Sequence, residues 1–202
     1  TIFNNGVTIG DYNPIVQIFA DRAGGGITDR RAIIGGNFSF GLNTAENSQQ
    51  ARFTTGNSFD IQIGTNATNT LTLRGKSVFN VDNAFSGQAR SLFVAAQVTG
   101  SGTLIKSRID TASDVMGLEN ITNLNDYSGG TILAGGTLRV LAKANNVAAG
   151  ASTNLTAGGL GTNAVTLMGG TLDLRVDNEV GGAPDTNAER VFFSAAGNGL
   201  DL

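Results

Sequence analysis

The chain has 202 residues, a formal net charge of −3 and only 14% charged residues, against roughly 25% in an average domain. It contains no cysteine and no histidine, which excludes disulfides, thiolate and imidazole metal ligands, and Ser-His-Asp or Cys-His catalysis. Its 29 glycines and 40% hydrophobic content favour many short strands broken by turns over long helices, whose outer faces need Glu, Lys and Arg.

The first residues, "TIFNNGVTIG", already alternate apolar and polar positions, the period of a half-buried strand. Further on, "AGGGITDRR" superficially matches a Gly-Gly-x-Gly-x-Asp calcium repeat, but Ile27 stands where glycine is needed and the pattern is not repeated. Arg30-Arg31, the one basic pair, reads as a solvated loop. "GNFSFGL" puts Phe38 and Phe40 on one face, "FDIQIG" does so with Phe59, Ile61 and Ile63, and "TLTLRG" pairs Leu71 with Leu73. The Thr-x-Thr of "TLTL" hints at an ice-binding face, yet no regular array of such pairs is visible. "SVFNVDN" carries Val78, Phe79 and Val81 with one register break, and "SLFVAAQV" is dense enough for a strand buried on both faces. "GTLIK", "GTILAGGTLRV", "AVTLMGGTLDLRV" and "RVFFSAA" continue the series, the last placing Phe192 and Phe193 on opposite faces.

One stretch departs from alternation. In "SRIDTASDVMGLENITNLN", Ser107–Asn125, the residues Val115, Leu118 and Ile121 fall at spacing three, which predicts a short helical turn in an excursion on the flank. Loops of this kind are where recognition often resides, but a tolerated insertion covering some apolar surface is the preferred reading.

Internal repetition organises the rest. "LTLRGKSVFNVDN" (Leu71–Asn83), "TILAGGTLRVLAKANN" (Thr131–Asn146) and "VTLMGGTLDLRVDN" (Val165–Asn178) each read as two strands flanking a glycine corner. That is the grammar of a β-solenoid, an all-β fold of short strands stacked in parallel about 4.8 Å apart. At ~20–25 residues per coil the chain makes roughly eight to ten coils and a rod of about 40 Å. The reading is a single β-solenoid over 1–202, with irregular coils in 1–97, a repeat region in 98–178 that holds the excursion 107–125, and a further coil in 179–202. The terminal "GNGLDL" echoes "GGTLDL", and neither end has a polar capping repeat. The expectation is a segment of a longer chain, or a subunit stacking end to end with copies of itself.

The order of residues across 98–178 resembles the autotransporter-associated β-strand repeat. Asn125, Tyr127, Ser128, Gly129, Gly130 and Thr131 fit its Asn-x-Tyr-(Ser/Thr)-Gly-Gly-Thr opening. Gly135, Gly136, Thr137, Leu138 and Val140 fit the Gly-Gly-Thr-Leu-x-Val that follows. Ala164 to Leu167 and Gly169, Gly170, Thr171, Leu172, Asp173 and Leu174 fit its Ala-Val-Thr-Leu-x-Gly-Gly-Thr-Leu-Asp-Leu. "VTGSGTLIKS" looks like the Gly-x-Gly-x-Leu-x-Lys lead-in, whereas residues 107–124 lack the short Gly-Thr-Leu-Thr-Leu strand usual there. The resemblance implies a right-handed parallel β-helix, the hand general to parallel crossovers, in a large secreted or surface-exposed bacterial protein. The repeat carries no catalytic residues of its own.

Carboxylates are the remaining candidates for chemistry, since a pair of them can cleave glycosidic bonds. Asp110 and Asp114 lie in the excursion; Asp177, Glu179 and Asp185 cluster near a Gly-Gly-Ala-Pro turn, with Arg175 and Arg190 available as basic partners. Solvated loop carboxylates are the preferred reading, and the same holds against a calcium site at Asp177 and Glu179. Tyr127 reads as corner packing. The glycine-rich stretches lack the Gly-Lys-Ser/Thr of a phosphate loop. The expectation is therefore no enzyme, cofactor or metal, but an extracellular or bacterial cell-surface fibre or stalk. Its partners are neighbouring coils or further copies, with a surface glycan or protein ligand at most, and no nucleic acid or membrane span. The rivals are a β-helical polysaccharide-active enzyme and a glycan-binding adhesin module.

Overall fold

A computed structural model describes residues 2–10, 15–21, 30–42, 48–55, 59–65, 68–83, 90–108, 114–120, 125–141, 159–175 and 200–201. They are all strand, turn or irregular structure, with no helix among them.

Strands form where apolar residues recur at every second position, and several of them end at glycine or asparagine. They come in cycles. The first is β1 (Ile2–Phe3), β2 (Val7–Ile9) and β3 (Val16–Ala20); the second is β4 (Arg30–Ile34), β5 (Phe38–Phe40) and β6 (Ser48–Thr55). The third is β7 (Phe59–Ile63), β8 (Thr70–Leu73) and β9 (Lys76–Asn83); the fourth is β10 (Arg90–Val94), β11 (Gln97–Gly100) and β12 (Thr103–Arg108). Among the described residues two strands per cycle follow: β13 (Asp114–Leu118) and β14 (Thr131–Leu133), β15 (Thr137–Leu141) and β16 (Val165–Leu167), β17 (Thr171–Arg175) and β18 (Leu200–Asp201).

The opening strands of all cycles pair into a 7-stranded sheet, the closing strands into a second 7-stranded sheet, and β2, β5, β8 and β11 into a 4-stranded sheet. We call these sheets A, C and B respectively. Every pairing is parallel. In sheet A, Ile2, Ile33, Gln62, Phe93, Gly117, Arg139 and Asp173 stack in one row. Consecutive members of that row lie 22 to 34 residues apart in sequence. The cycles are thus longer and fewer than the expected eight to ten, and seven rungs span about 29 Å.

One core cluster draws on all three sheets. From sheet A come Ile61, Ile63, Leu92, Val94, Met116, Leu118, Leu138 and Val140; from B, Phe38, Phe40, Leu71, Leu73 and Val98; from C, Ala51, Phe53, Phe79, Val81, Leu104 and Leu133. Phe38, Phe40, Phe53 and Phe79 make a four-ring nucleus between sheets B and C, with Phe40 and Phe79 centroids 4.5 Å apart and Phe53 stacked on Phe79 at 6.0 Å. Alternation explains the selection: the intervening residues Ser39, Thr72 and Arg52 point outward.

The structure differs from the sequence reading in several places. The stretch expected to form a helical turn holds β13, paired on both sides with β10 and β15. Met116 and Leu118 are buried, so a period of two prevails over the spacing of three. The segment 107–125 thus carries a strand of sheet A, without the sequence usual for the resembled family at that point. Arg31 belongs to β4 and not to a solvated loop. Leu71–Asn83 joins sheet B to sheet C through β8 and β9, whereas Thr131–Leu141 and Val165–Arg175 both join C to A. Only the last two are equivalent repeats, in direct register through Ile132↔Thr166 and Leu138↔Leu172. Finally, Thr8, Ser39, Thr72 and Thr99 stack in one outward row of sheet B, an array of hydroxyls that unequal cycle lengths conceal in the sequence.

Candidate functional site

The first motif residues, Asn125 to Gly130, lie where sheet B gives way, and the later ones lie at corners from sheet C into sheet A. In the first four cycles a sheet B strand joins A to C. After β13, residues 125–130 and 159–164 run past the same place with side chains supplying much of the bonding. Asn125, 4% exposed, accepts the Val98 N–H at its Oδ1 (2.8 Å) and donates from Nδ2 to the Gly159 carbonyl (2.9 Å). Its amide thus bridges three successive cycles. The backbone continues the ladder, Asp126 and Ser128 N–H groups donating to Val98 and Gly100 carbonyls at 2.9 Å each, and Thr162 N–H to the Tyr127 carbonyl at 3.0 Å.

Tyr127 is fully buried and fills the interior where smaller residues surround it. Its hydroxyl lies 2.6 Å from Thr131 Oγ1, which donates in turn to the Leu160 carbonyl at 3.2 Å. Since the threonine proton is committed to Leu160, the tyrosine hydroxyl donates to Thr131. Burial pushes the phenol far above its ordinary value, the Thr131 bond pulling slightly the other way. It is a neutral structural donor across the whole working range of pH.

The Gly-Gly-Thr triplets are corners of two kinds. Gly129-Gly130-Thr131 leads into sheet C, while Gly135-Gly136-Thr137 and Gly169-Gly170-Thr171 lead from C into A. The last two stack: Thr137 pairs with Thr171, and the Thr171 N–H donates to the Gly136 carbonyl at 2.8 Å. Gly170 has φ of 91° and a Cβ there would run into the Gly136 carbonyl, so glycine is required on both grounds. Gly129 is packed as closely against the Gly102 backbone. Leu138 is fully buried one residue after its corner, with Leu172 half-buried against it in the next rung.

Lys106 is part of the same construction, and the sequence reading saw it only as the end of a lead-in. It pairs with Phe79 and Leu133 in sheet C and is fully buried. Its Nζ donates to the Ser107 carbonyl at 2.6 Å and reaches the Gly135 carbonyl at 3.4 Å. A buried ammonium needs such acceptors. The signal was available in "GTLIK", where alternation puts Lys106 on the same face as Leu104.

Four of the described carboxylates are engaged by neighbouring groups. Asp82 pairs with Arg52, Glu119 with Arg31, and Asp173 with Arg139; Asp60 accepts the Ser91 N–H at 3.0 Å. Of the acidic candidates, Asp114 is placed only as a backbone position in β13, and Asp110, Asp177, Glu179, Asp185 and their partner Arg190 lie outside the described residues. So do the Arg175 side chain and Phe192-Phe193. Among the described residues no group of three or more Asp, Glu, His or Cys is arranged to hold a metal, and no helix is long and apolar enough to cross a membrane. Comparison of the chain with protein-family models, with curated proteins and with solved structures finds no match.

Proposed function

We propose that the chain is a closed, right-handed parallel β-solenoid of the autotransporter-repeat kind, serving as a rigid stalk or fibre segment on a bacterial cell surface or outside the cell. The observation that carries this reading is the strand order: consecutive strands feed sheets in rotation, and each return lands in parallel register one rung further on. A path that winds in one direction around a shared core satisfies that order most simply, and its hand follows the general rule for parallel crossovers. The function is then mechanical. Backbone ladders run along the whole axis, the apolar column is sealed inside, and corners are held by Gly-Gly-Thr, Asn125 and Tyr127 in place of disulfides.

The test is surface labelling of intact, unpermeabilised producing cells with an antibody to this chain, combined with limited proteolysis of the isolated protein. Labelling, with cleavage confined between strands and the sheets surviving, supports the stalk. Signal only after permeabilisation, or rapid digestion through β7 to β12, would sink it. The rival enzyme reading is probed by Asp110→Ala, Asp114→Ala, Asp177→Ala and Glu179→Ala variants on acidic and neutral polysaccharides. A measurable activity lost in these variants would replace the structural reading. Glycan-array binding lost when 107–125 is shortened would instead favour the adhesin.

A further inference from the structure

The outer face of sheet A carries a four-membered side-chain cluster that neither the repeat motif nor the stalk reading uses. Arg31, in the second cycle, lays its guanidinium carbon 3.6 Å from the centre of the Phe93 ring, in the fourth. Its Nη1 donates to Gln62 Oε1 in the third cycle at 2.9 Å and to Glu119 Oε2 in the fifth at 3.1 Å. Gln62 is held in place because its Nε2 donates to the Gly64 carbonyl at 2.8 Å. Gly117, the rung below Phe93, leaves room for the ring: a Cβ there would lie 3.1 Å from it. Phe93 is an outward-facing ring and yet only 9% exposed.

We propose that Arg31, Gln62, Phe93 and Glu119 form an acid-opened clasp, which at neutral pH ties four cycles together and covers the Phe93 ring, and which lets go when Glu119 takes up a proton. A guanidinium as a chemical class keeps its charge in proteins. The position of the Arg31 guanidinium over the ring is partly dehydrated, and the Glu119 carboxylate, which its Nη1 contacts, helps to offset this together with the Asp60 register partner. Once that carboxylate is neutral, the guanidinium gains more from water than from the ring and a neutral acceptor, and it swings outward. The charged groups acting on Glu119 are Arg31 on β4, Arg139 on β15 and Asp60 on β7, with Asp173 on β17 held by Arg139 Nε at 2.8 Å. The side chains of Arg90 and Asp114, on the adjoining β10 and β13, lie outside the described residues. Burial is the largest influence on Glu119 and raises its pKa, against the pull of the two arginines. The opening of the clasp is therefore shifted to higher pH than an ordinary glutamate would give. Strand register stacks Gln62 on Phe93, and the Arg31 side chain reaches across to them and to Glu119, so the inference stands whether or not the stalk reading does.

The experiment is NMR on the full chain between pH 7 and pH 3.5, following contacts between the Arg31 side chain and the Phe93 ring. At pH 7 the parent shows them. They weaken at least five-fold in step with the Glu119 carboxyl titration, while the Leu138 and Val140 methyl signals keep their dispersion. E119Q lacks them at pH 7. Contacts that persist in E119Q at pH 7 overturn the clasp, as do contacts in the parent that survive Glu119 protonation. Should E119Q fail to fold, the parent titration decides alone: loss that tracks Glu119 sustains the clasp, and loss at any other midpoint overturns it.

Discussion

The first four cycles and those after them return the chain to the same sheets by different means. From Ile2 to Arg108 each cycle has three strands, and the interior is filled with large apolar side chains, above all the four phenylalanines between sheets B and C. Among the described residues from Asn125 to Arg175 no middle strand is formed. One buried amide, one buried phenol, one threonine hydroxyl and stacked glycines hold its place. The difference teaches that a rung can be held by non-directional packing or by a few obligatory hydrogen bonds. The first tolerates sequence change well, because hydrophobic residues of similar volume substitute for one another. The second does not, because each buried polar group lost leaves its partner unsatisfied. That is a physical reason for repeated Gly-Gly-Thr triplets in the second region and none in the first.

The comparison can be broken by mutation. Phe79→Ala removes a ring that packs on both Phe40 and Phe53, and should destabilise the chain by ~3–5 kcal/mol in urea unfolding. Phe79→Leu should recover much of that loss, and equal losses for both variants would contradict the view that volume governs this region. Asn125→Leu keeps volume but orphans the Val98 N–H and the Gly159 carbonyl, so a loss of ~2–3 kcal/mol is expected. A near-neutral result would show that water replaces the amide and that the polar scheme is dispensable.

Tyr127→Phe should cost about 1 kcal/mol, since Thr131 retains its bond to Leu160. The same phenol predicts alkaline behaviour. A folded pKa raised above the unfolded value gives stability that is complete below pH 10 and is lost as pH climbs toward the folded value. Absorbance titration should therefore find one of the two tyrosines silent until unfolding.

Glu119→Gln has the smallest effect and the opposite sign. Glu119 has a raised folded pKa, so its contribution is present below about pH 4.5, the unfolded value, and fades as pH rises through the folded one. Removing the charge should leave the melting temperature at pH 7 unchanged or slightly higher, by the equivalent of at most ~1 kcal/mol. A clear drop would mean that the Arg31 pair outweighs the cost of burying the carboxylate.

How much of this was legible depends on which forces are local. Alternation placed Phe38, Phe40, Ile61, Leu71 and Leu138 in the core, because a strand's two faces are written in its own residues. The glycine corners were legible for the same reason, since positive φ at Gly130, Gly136 and Gly170 is a demand of the chain on itself. Cross-cycle partners were not. Arg31 and Glu119 lie 88 residues apart, and the row Thr8, Ser39, Thr72 and Thr99 has no constant spacing, so neither leaves a periodic trace. Asp114–Leu118 was misread because a strand this short, with Gly117 at its centre, has too few apolar residues to distinguish a period of two from one of three. Leu71–Asn83 was matched to the wrong corner because every corner uses the same few residue types.

Row partners in sheet A recur after as few as 22 residues and as many as 34, and still meet in register. Length between strands is therefore a free variable. Doubling a connecting segment adds only about 0.6 kcal/mol of closure entropy, small beside the packing of a rung. Such an architecture can accept foreign peptide at a corner without renumbering its contacts, one new passenger per turn of the chain. Sequence can be gained or shed between strands while the frame beneath stays the same.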